Sequence, residues 1–371
     1  MKTSAGREEE RRRGGASQPG VSSLLRACLL LSCAFASAHA QQGPQAVLEP
    51  AGTQARHIGG LWWLFFYVLS AVWVLVMIAT LLAVFYGRRN REASGPKAVE
   101  GEPPLPEVLP DPAAERRKGL WVGGALGATA VILFVFLVSS FLTGRAVSSM
   151  SAGDSVYIEV TGHQWWWEVR YIDPVASNTF TTANEIHVPV GRPVQIKLRS
   201  SDVIHSFWVP NLAGKKDLIP GKDATLMLKA DREGVYRGQC AEFCGHQHAH
   251  MAFLVVAEPP EKFKAWQQQQ RRPAAQPADP IQQRGQQVFL SSPCVMCHTI
   301  TGTQAGSKVG PDLTHVGSRS TIAAATLPNT AGHLGGWVSD AQGVKPGSRM
   351  PPNNLSPDDL QAVIAYLQSL K

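Results

Sequence analysis

Residues 240–251 read CAEFCGHQHAHM, two cysteines, an acid, three histidines and a methionine within one short stretch of a 371-residue chain that holds six cysteines. Thiolates are soft ligands that favour copper, zinc or iron–sulfur, and imidazole and thioether at His248 and Met251 shift the preference toward copper. A mononuclear copper carrier on a strand-rich sandwich uses one cysteine. Cys240 and Cys244 therefore point to two metals, with bridging sulfurs letting a copper pair share one unpaired electron and reorganise little on transfer. Zinc draws on the same residue types, and an exported chain also permits a disulfide. Spacing alone does not choose among His246, His248 and His250.

Outward from this loop, residues 150–258 carry short apolar alternations, SVYIEVTG, FTTANEIHVPVG, PVQIKLRS, ATLMLKA and HMAFLVVAE, separated by Gly, Pro, Asp and Asn. That pattern predicts an antiparallel sandwich. Residues 259–279, PPEKFKAWQQQQRRPAAQPAD, read as a polar Pro/Gln linker and a domain boundary. Helical patterning returns at 281–290 and 356–370, where Ser356 serves as N-cap with Asp358 and Asp359 in the first turn.

Between those helices stands CVMCH, residues 294–298. Cys294 and Cys297 are spaced to add to the two vinyl groups of a haem while His298 takes the iron from one face. A thioredoxin-like redox pair would want a βαβ context, and a zinc finger a second pair of ligands at finger spacing; the sequence offers neither. His315, His333 and Met350 are the candidates for the sixth iron ligand.

Residues 61–86 and 119–143 are uncharged and apolar, and at about 1.5 Å per residue each exceeds the ~30 Å hydrocarbon layer. A two-helix transmembrane hairpin over 57–145 follows, and its loop, 87–118, carries GRRNR at one end and ERRK at the other, which places it in the cytoplasm. Everything after Arg145 then lies on the outer side. Residues 1–40 agree, with a basic start, an apolar run and AHA before Gln41, the plan of a signal peptide cleaved after Ala40; lipidation at Cys33 is the alternative. The net charge of +7 is spread along the chain without a basic stripe, which excludes nucleic-acid binding.

The run from 240 to 251 resembles the binuclear copper motif of subunit II of haem–copper cytochrome c oxidases, as does DVIHSFWVP at 202–210. The resemblance implies a cupredoxin-like domain over 146–258, with Cys240 and Cys244 bridging two copper ions, His205 and His248 capping them, Met251 as a weak ligand and Glu242 giving its carbonyl. It also implies a magnesium or manganese ion shared with subunit I through the Glu242 side chain, and a place for Asp217 near that boundary. GHQWWWEVRY at 162–171 is similar to the family's aromatic segment and marks Trp165 as the point where electrons reach the copper domain, although such tryptophans also anchor at lipid interfaces. Trp166 replaces the usual tyrosine. The family's acid ahead of the second span is reduced here to Glu115 in AAERRKGLWVGG, which puts its proton role in doubt.

GPDL, SRMPP and SPDDLQAVIAYLQSL resemble segments of class I c-type cytochromes, which implies an all-α domain over 280–371 and favours Met350 as the sixth ligand. Together the resemblances imply a caa-type oxidase subunit in the bacterial inner membrane, its copper and haem domains on the periplasmic side. Such a subunit works with subunit I, which holds haem a and copper, with subunit III, and with a cytochrome c or membrane-bound cytochrome as donor. A copper-containing nitric oxide reductase subunit and a freestanding membrane-anchored electron carrier are the alternatives.

Overall fold

The computed structural model describes residues 45–93, 111–149 and 153–371. The leader, with its alternatives at Ala40 and Cys33, and residues 94–110 of the loop between the spans lie outside the described residues.

Two long helices come first, α1 (Thr53–Ala93) and α2 (Pro112–Ser148). Their apolar stretches have mean hydropathies of 2.7 and 2.4 and are long enough to cross a membrane. Large apolar side chains such as Trp73, Leu81, Trp121 and Phe141 face outward, an arrangement that lipid satisfies and water does not. The helices run antiparallel: Gln54 Nε2 donates to Val147 O (3.3 Å), and further along Phe65 stacks on Phe136 with ring centroids 4.0 Å apart. Asp111 caps α2 by accepting from the Ala113 amide, with Pro112 in the first turn. The start of α1 is pinned to the domain that follows: Ala51 N donates to Asn211 O (2.7 Å), and Thr53 Oγ1 and Arg56 both bind Asp231.

That domain is a sandwich of ten strands, β1 (Val156–His163), β2 (Trp166–Ile172), β3 (Phe180–Ala183), β4 (Glu185–Pro189), β5 (Val194–Ser200), β6 (His205–Trp208), β7 (Lys216–Leu218), β8 (Ala224–Leu228), β9 (Gly234–Cys240) and β10 (Ala252–Glu258). One sheet has the order β3-β2-β1-β5-β8 and the other β4-β10-β9-β6-β7. The alternations read in the sequence send Val156, Ile158 and Val160 of β1 and Ile196 and Leu198 of β5 into the core. Trp167 is fully buried there, edge-on to Phe253 at 5.2 Å. The sheets are mixed where the alternation predicts antiparallel ones, because β1 pairs β5 and β4 pairs β10 in parallel. Between β1 and β5 the chain leaves for the opposite sheet as β4, and strands joined by such an excursion are not forced to reverse as hairpin partners are.

The stretch 259–279 opens with a helix, α3 (Pro260–Gln270). Phe263 is buried against the sandwich and Trp266 stacks on His187 at 4.1 Å, so this segment packs instead of hanging free. The remainder is helical, with α4 (Pro280–Ser291), α5 (Ala331–Ser339), the short α6 (Ala341–Val344) and α7 (Pro357–Ser369), plus a two-stranded ribbon of β11 (Thr321–Ile322) and β12 (Leu327–Pro328). Ser356 Oγ accepts from the Asp359 amide as the N-cap spacing predicts (3.2 Å). α4 crosses α7 so closely that a Cβ on Gly285 would overlap the Ala362 carbonyl.

Candidate functional site

β9 delivers Cys240 and β10 begins at Ala252, so the ligand-rich run is the connection between two core strands. β6 lies beside β9 with Phe207 opposite Cys240, and this register brings His205 to the cysteines. The nearest ligand atoms of His205, Cys240 and Cys244 all lie within 4.8 Å of one another. His205 Nδ1 is 3.8 Å from Cys240 Sγ, while its Nε2 bonds Asp202 Oδ1 at 2.8 Å, a carboxylate contact that fixes the ring's orientation. Cys244 Sγ lies 3.6 Å from His248 Nδ1 and 3.7 Å from Met251 Sδ, and the Glu242 carbonyl reaches Cys240 Sγ at 3.1 Å.

Of the three histidines in the loop, only His248 faces a cysteine sulfur. His246 packs edge-on to Trp165 at 6.5 Å, and His250 turns its carbonyl to Lys345. All four described cysteines are free thiols. Cys240 and Cys244 titrate as a pair, and the first proton is held well below the usual thiol range because the neighbouring thiol donates to the thiolate so formed. Two sulfurs, two imidazoles, a thioether and a carbonyl fit a soft copper centre; the thioether and the carbonyl would be superfluous for tetrahedral zinc.

The three tryptophans of the aromatic run separate cleanly. Trp165 donates its indole N–H to the Cys244 carbonyl (2.8 Å), which also accepts from Gln164 Nε2 (2.8 Å). Trp166 stacks on His163 at 4.3 Å, and Trp167 belongs to the core. All three are engaged by the protein.

Cys294, Cys297, His298 and Met350 line one cleft of about 1570 Å³, its solvent mouth included. His298 Nδ1–H donates to the Pro311 carbonyl (2.7 Å), which leaves Nε2 free to face a metal. Burial lowers the His298 pKa and so keeps the imidazole neutral. Gly310 lets the chain pass over this ring, since a Cβ there would sit 2.8 Å from His298 Cε1. The other candidate ligands point elsewhere: His315 Nε2 bonds Arg272 O (3.0 Å) and His333 pairs with Thr330 Oγ1 (3.0 Å).

Sequence reading missed Arg319. Its guanidinium lines the same cleft, binds Asp312 O and Thr182 Oγ1, and keeps its Nε buried without a partner among the described residues. An unfilled cationic donor in an apolar cleft fits a planar group that carries carboxylates, as haem does. His163, Gln164, Trp165 and Trp166 also line it, and through Trp165, bonded to the Cys244 carbonyl, the cleft and the cysteine loop share one wall. Glu242 and Asp217 are exposed, and Glu115 pairs with Lys118 (2.7 Å) in the first turn of α2.

The family described as cytochrome C oxidase subunit II, periplasmic domain, matches residues 174–258, and the family cytochrome c matches 282–371. A cytochrome c oxidase subunit 2 of Alkalihalophilus pseudofirmus is 35% identical over 332 residues, 87% of this chain and 90% of that protein. The one from Bacillus sp. strain PS3 is 30% identical over 308 residues, 77% of this chain and 80% of that one. The crystal structure of the periplasmic domain of subunit II of cytochrome oxidase from Bradyrhizobium japonicum is 29% identical, covering 33% of this chain and 97% of that one, with a TM-score of 0.31.

Proposed function

Because this chain belongs to the cytochrome c oxidase subunit II family and carries a cytochrome c domain behind the copper domain, we propose that it passes electrons from covalently bound haem c to a binuclear copper centre. From there they go on to haem in subunit I, where oxygen is reduced to water with proton pumping. The family membership makes it a membrane-anchored electron-transfer subunit, partner to subunit I, using copper and haem c.

In this reading Cys240, Cys244, His205, His248, Met251 and the Glu242 carbonyl hold the copper pair within 146–258, and Cys294, Cys297, His298 and Met350 hold the haem within 280–371. The two cofactors supply one-electron chemistry; the protein supplies spacing, burial and polarity. Asp202 orients His205, Pro311 orients His298, and Trp165 bridges the shared wall to the copper loop through its bond to the Cys244 carbonyl. The Glu242 side chain is free to meet a magnesium or manganese ion at the boundary with subunit I. The bacterial inner membrane, a subunit III and a soluble or membrane-bound cytochrome as donor complete the assignment.

The observation that carries this reading is the convergence of three side chains, His205, His248 and Met251, and one carbonyl on the sulfurs of Cys240 and Cys244. Electron paramagnetic resonance of the purified complex tests it. The expected signal is a hyperfine pattern from two equivalent copper nuclei, abolished in Cys244→Ser and perturbed but retained in Met251→Leu. An unchanged pattern in the serine variant would remove this ligand set.

A further inference from the structure

Lys345 follows α6 and is 2% exposed, at the contact between the haem-binding part and the sandwich. No carboxylate pairs with it among the described residues. Its ammonium donates instead to the main-chain carbonyls of Trp165 (2.9 Å), His250 (2.9 Å) and Ala323 (3.2 Å). The first two belong to the sandwich and the third to the haem-binding part.

A buried ammonium is tolerated only when its three N–H groups are satisfied. Here the acceptors come from three separate loops, so the charge is fully satisfied in one docking register. Apolar contact of similar extent would allow the two parts to slide; a slide of one residue in this contact strands a buried cation. Burial lowers the pKa of Lys345 to about 8, a sign that the charge costs the docked state something and contributes selectivity more than affinity.

The neighbouring bonds hold the same register. Gln247 Nε2 donates to Pro346 O (2.9 Å), Ala252 N to Ala324 O (3.2 Å) and Arg237 to Ala325 O (3.0 Å). Ala323, Ala324 and Ala325 all have left-handed φ, 54°, 59° and 56°, a conformation alanine adopts only when its surroundings dictate it.

We propose that Lys345 is a positioning residue for electron transfer: it sets the one register in which the haem-binding cleft meets the Trp165 loop and excludes the others. This rests on the functional reading above. A covalent tether raises the effective concentration of the two parts but leaves many encounter geometries open. Electron tunnelling falls steeply with distance, so a single register fixes the rate.

The test uses the purified oxidase complex, with an electron injected photochemically into the haem and its arrival at copper followed optically. The unaltered chain should show one exponential phase that is insensitive to added glycerol. Lys345→Met keeps side-chain length but removes the charge and the donors. It should transfer at least ten-fold more slowly, in several viscosity-dependent phases, with haem absorption and the paired-copper resonance unchanged. In the same variant the Ala252 amide should lose hydrogen-exchange protection while β1 amides keep theirs. A single phase at the original rate in Lys345→Met would overturn the proposal, and so would viscosity-dependent transfer in the unaltered chain, a result that needs no variant to fold. Absence of the paired-copper resonance or of covalent haem from the unaltered chain would instead count against the functional reading itself.

Discussion

The proposed copper loop and haem cleft are built by opposite means. His205, Cys240, Cys244 and Met251 are each at most 2% exposed, and backbone strands, Asp202 and the Glu242 carbonyl set their positions before any ion arrives. Cys294, Cys297 and Met350 are partly exposed and border a cleft that runs into the core beside Leu334, Val363 and Leu367. The first site is largely preset on a completed sandwich, with His248 alone of its proposed side-chain ligands partly exposed. In the second, haem would itself be core material, and the helices around it would depend on it.

That contrast predicts its own largest consequence. Replacing both Cys294 and Cys297 with serine should abolish covalent haem, seen as loss of haem staining after denaturing electrophoresis. It should also cost the haem-binding part its cooperative melting, while the paired-copper resonance of the sandwich survives. Retention of cooperative melting without haem would break the comparison.

A smaller effect sharpens it at the contact between the two parts. Glu185 on β4 accepts from Ser320 N and Oγ of the haem-binding part and also faces His187, whose other nitrogen meets Glu258 (2.9 Å). Burial opposes charge on His187, but the hydrogen bonds and charges of Glu185 and Glu258 outweigh it and raise the pKa; burial also opposes charge on Glu185, and there the contacts with His187 and Ser320 outweigh it and lower the pKa. A raised histidine pKa gives stabilisation that is complete below the unfolded value, about 6.5, and is lost as pH rises through the folded value. The loss is complete only above the folded value. It should be read as a fall in melting temperature on alkalinisation that disappears in His187→Gln.

Much of this molecule can be read from its residues. The two spans stand out because lipid tolerates no charge along them, and the cysteine motifs stand out because metal and haem chemistry demand close spacing. The alternation of β1 and β5 announced strands but not their parallel pairing, since a period of two fixes which face is buried and says nothing about direction. Residues 259–279 look like a polar linker, yet Pro260 at a helix start with Phe263 and Trp266 three apart was a legible sign of a packed helix. The contact between the two parts was not legible. Lys345, Glu185, Ser320 and Arg319 each lie far in sequence from a partner across the contact, and no periodicity marks a polar side chain whose partner is a carbonyl or hydroxyl on another loop. Among the candidate ligands, geometry added what spacing lacked by turning His248, and neither His246 nor His250, toward Cys244.

The most direct test of the account is rapid mixing of the oxidised complex with a reduced soluble cytochrome, following the haem c and copper absorption bands separately. If electrons travel through this chain from haem to copper, haem c is reduced first at a rate proportional to donor concentration, and copper follows at a rate that donor concentration does not change. Copper reduced first, at a donor-dependent rate with haem c lagging behind, would contradict it.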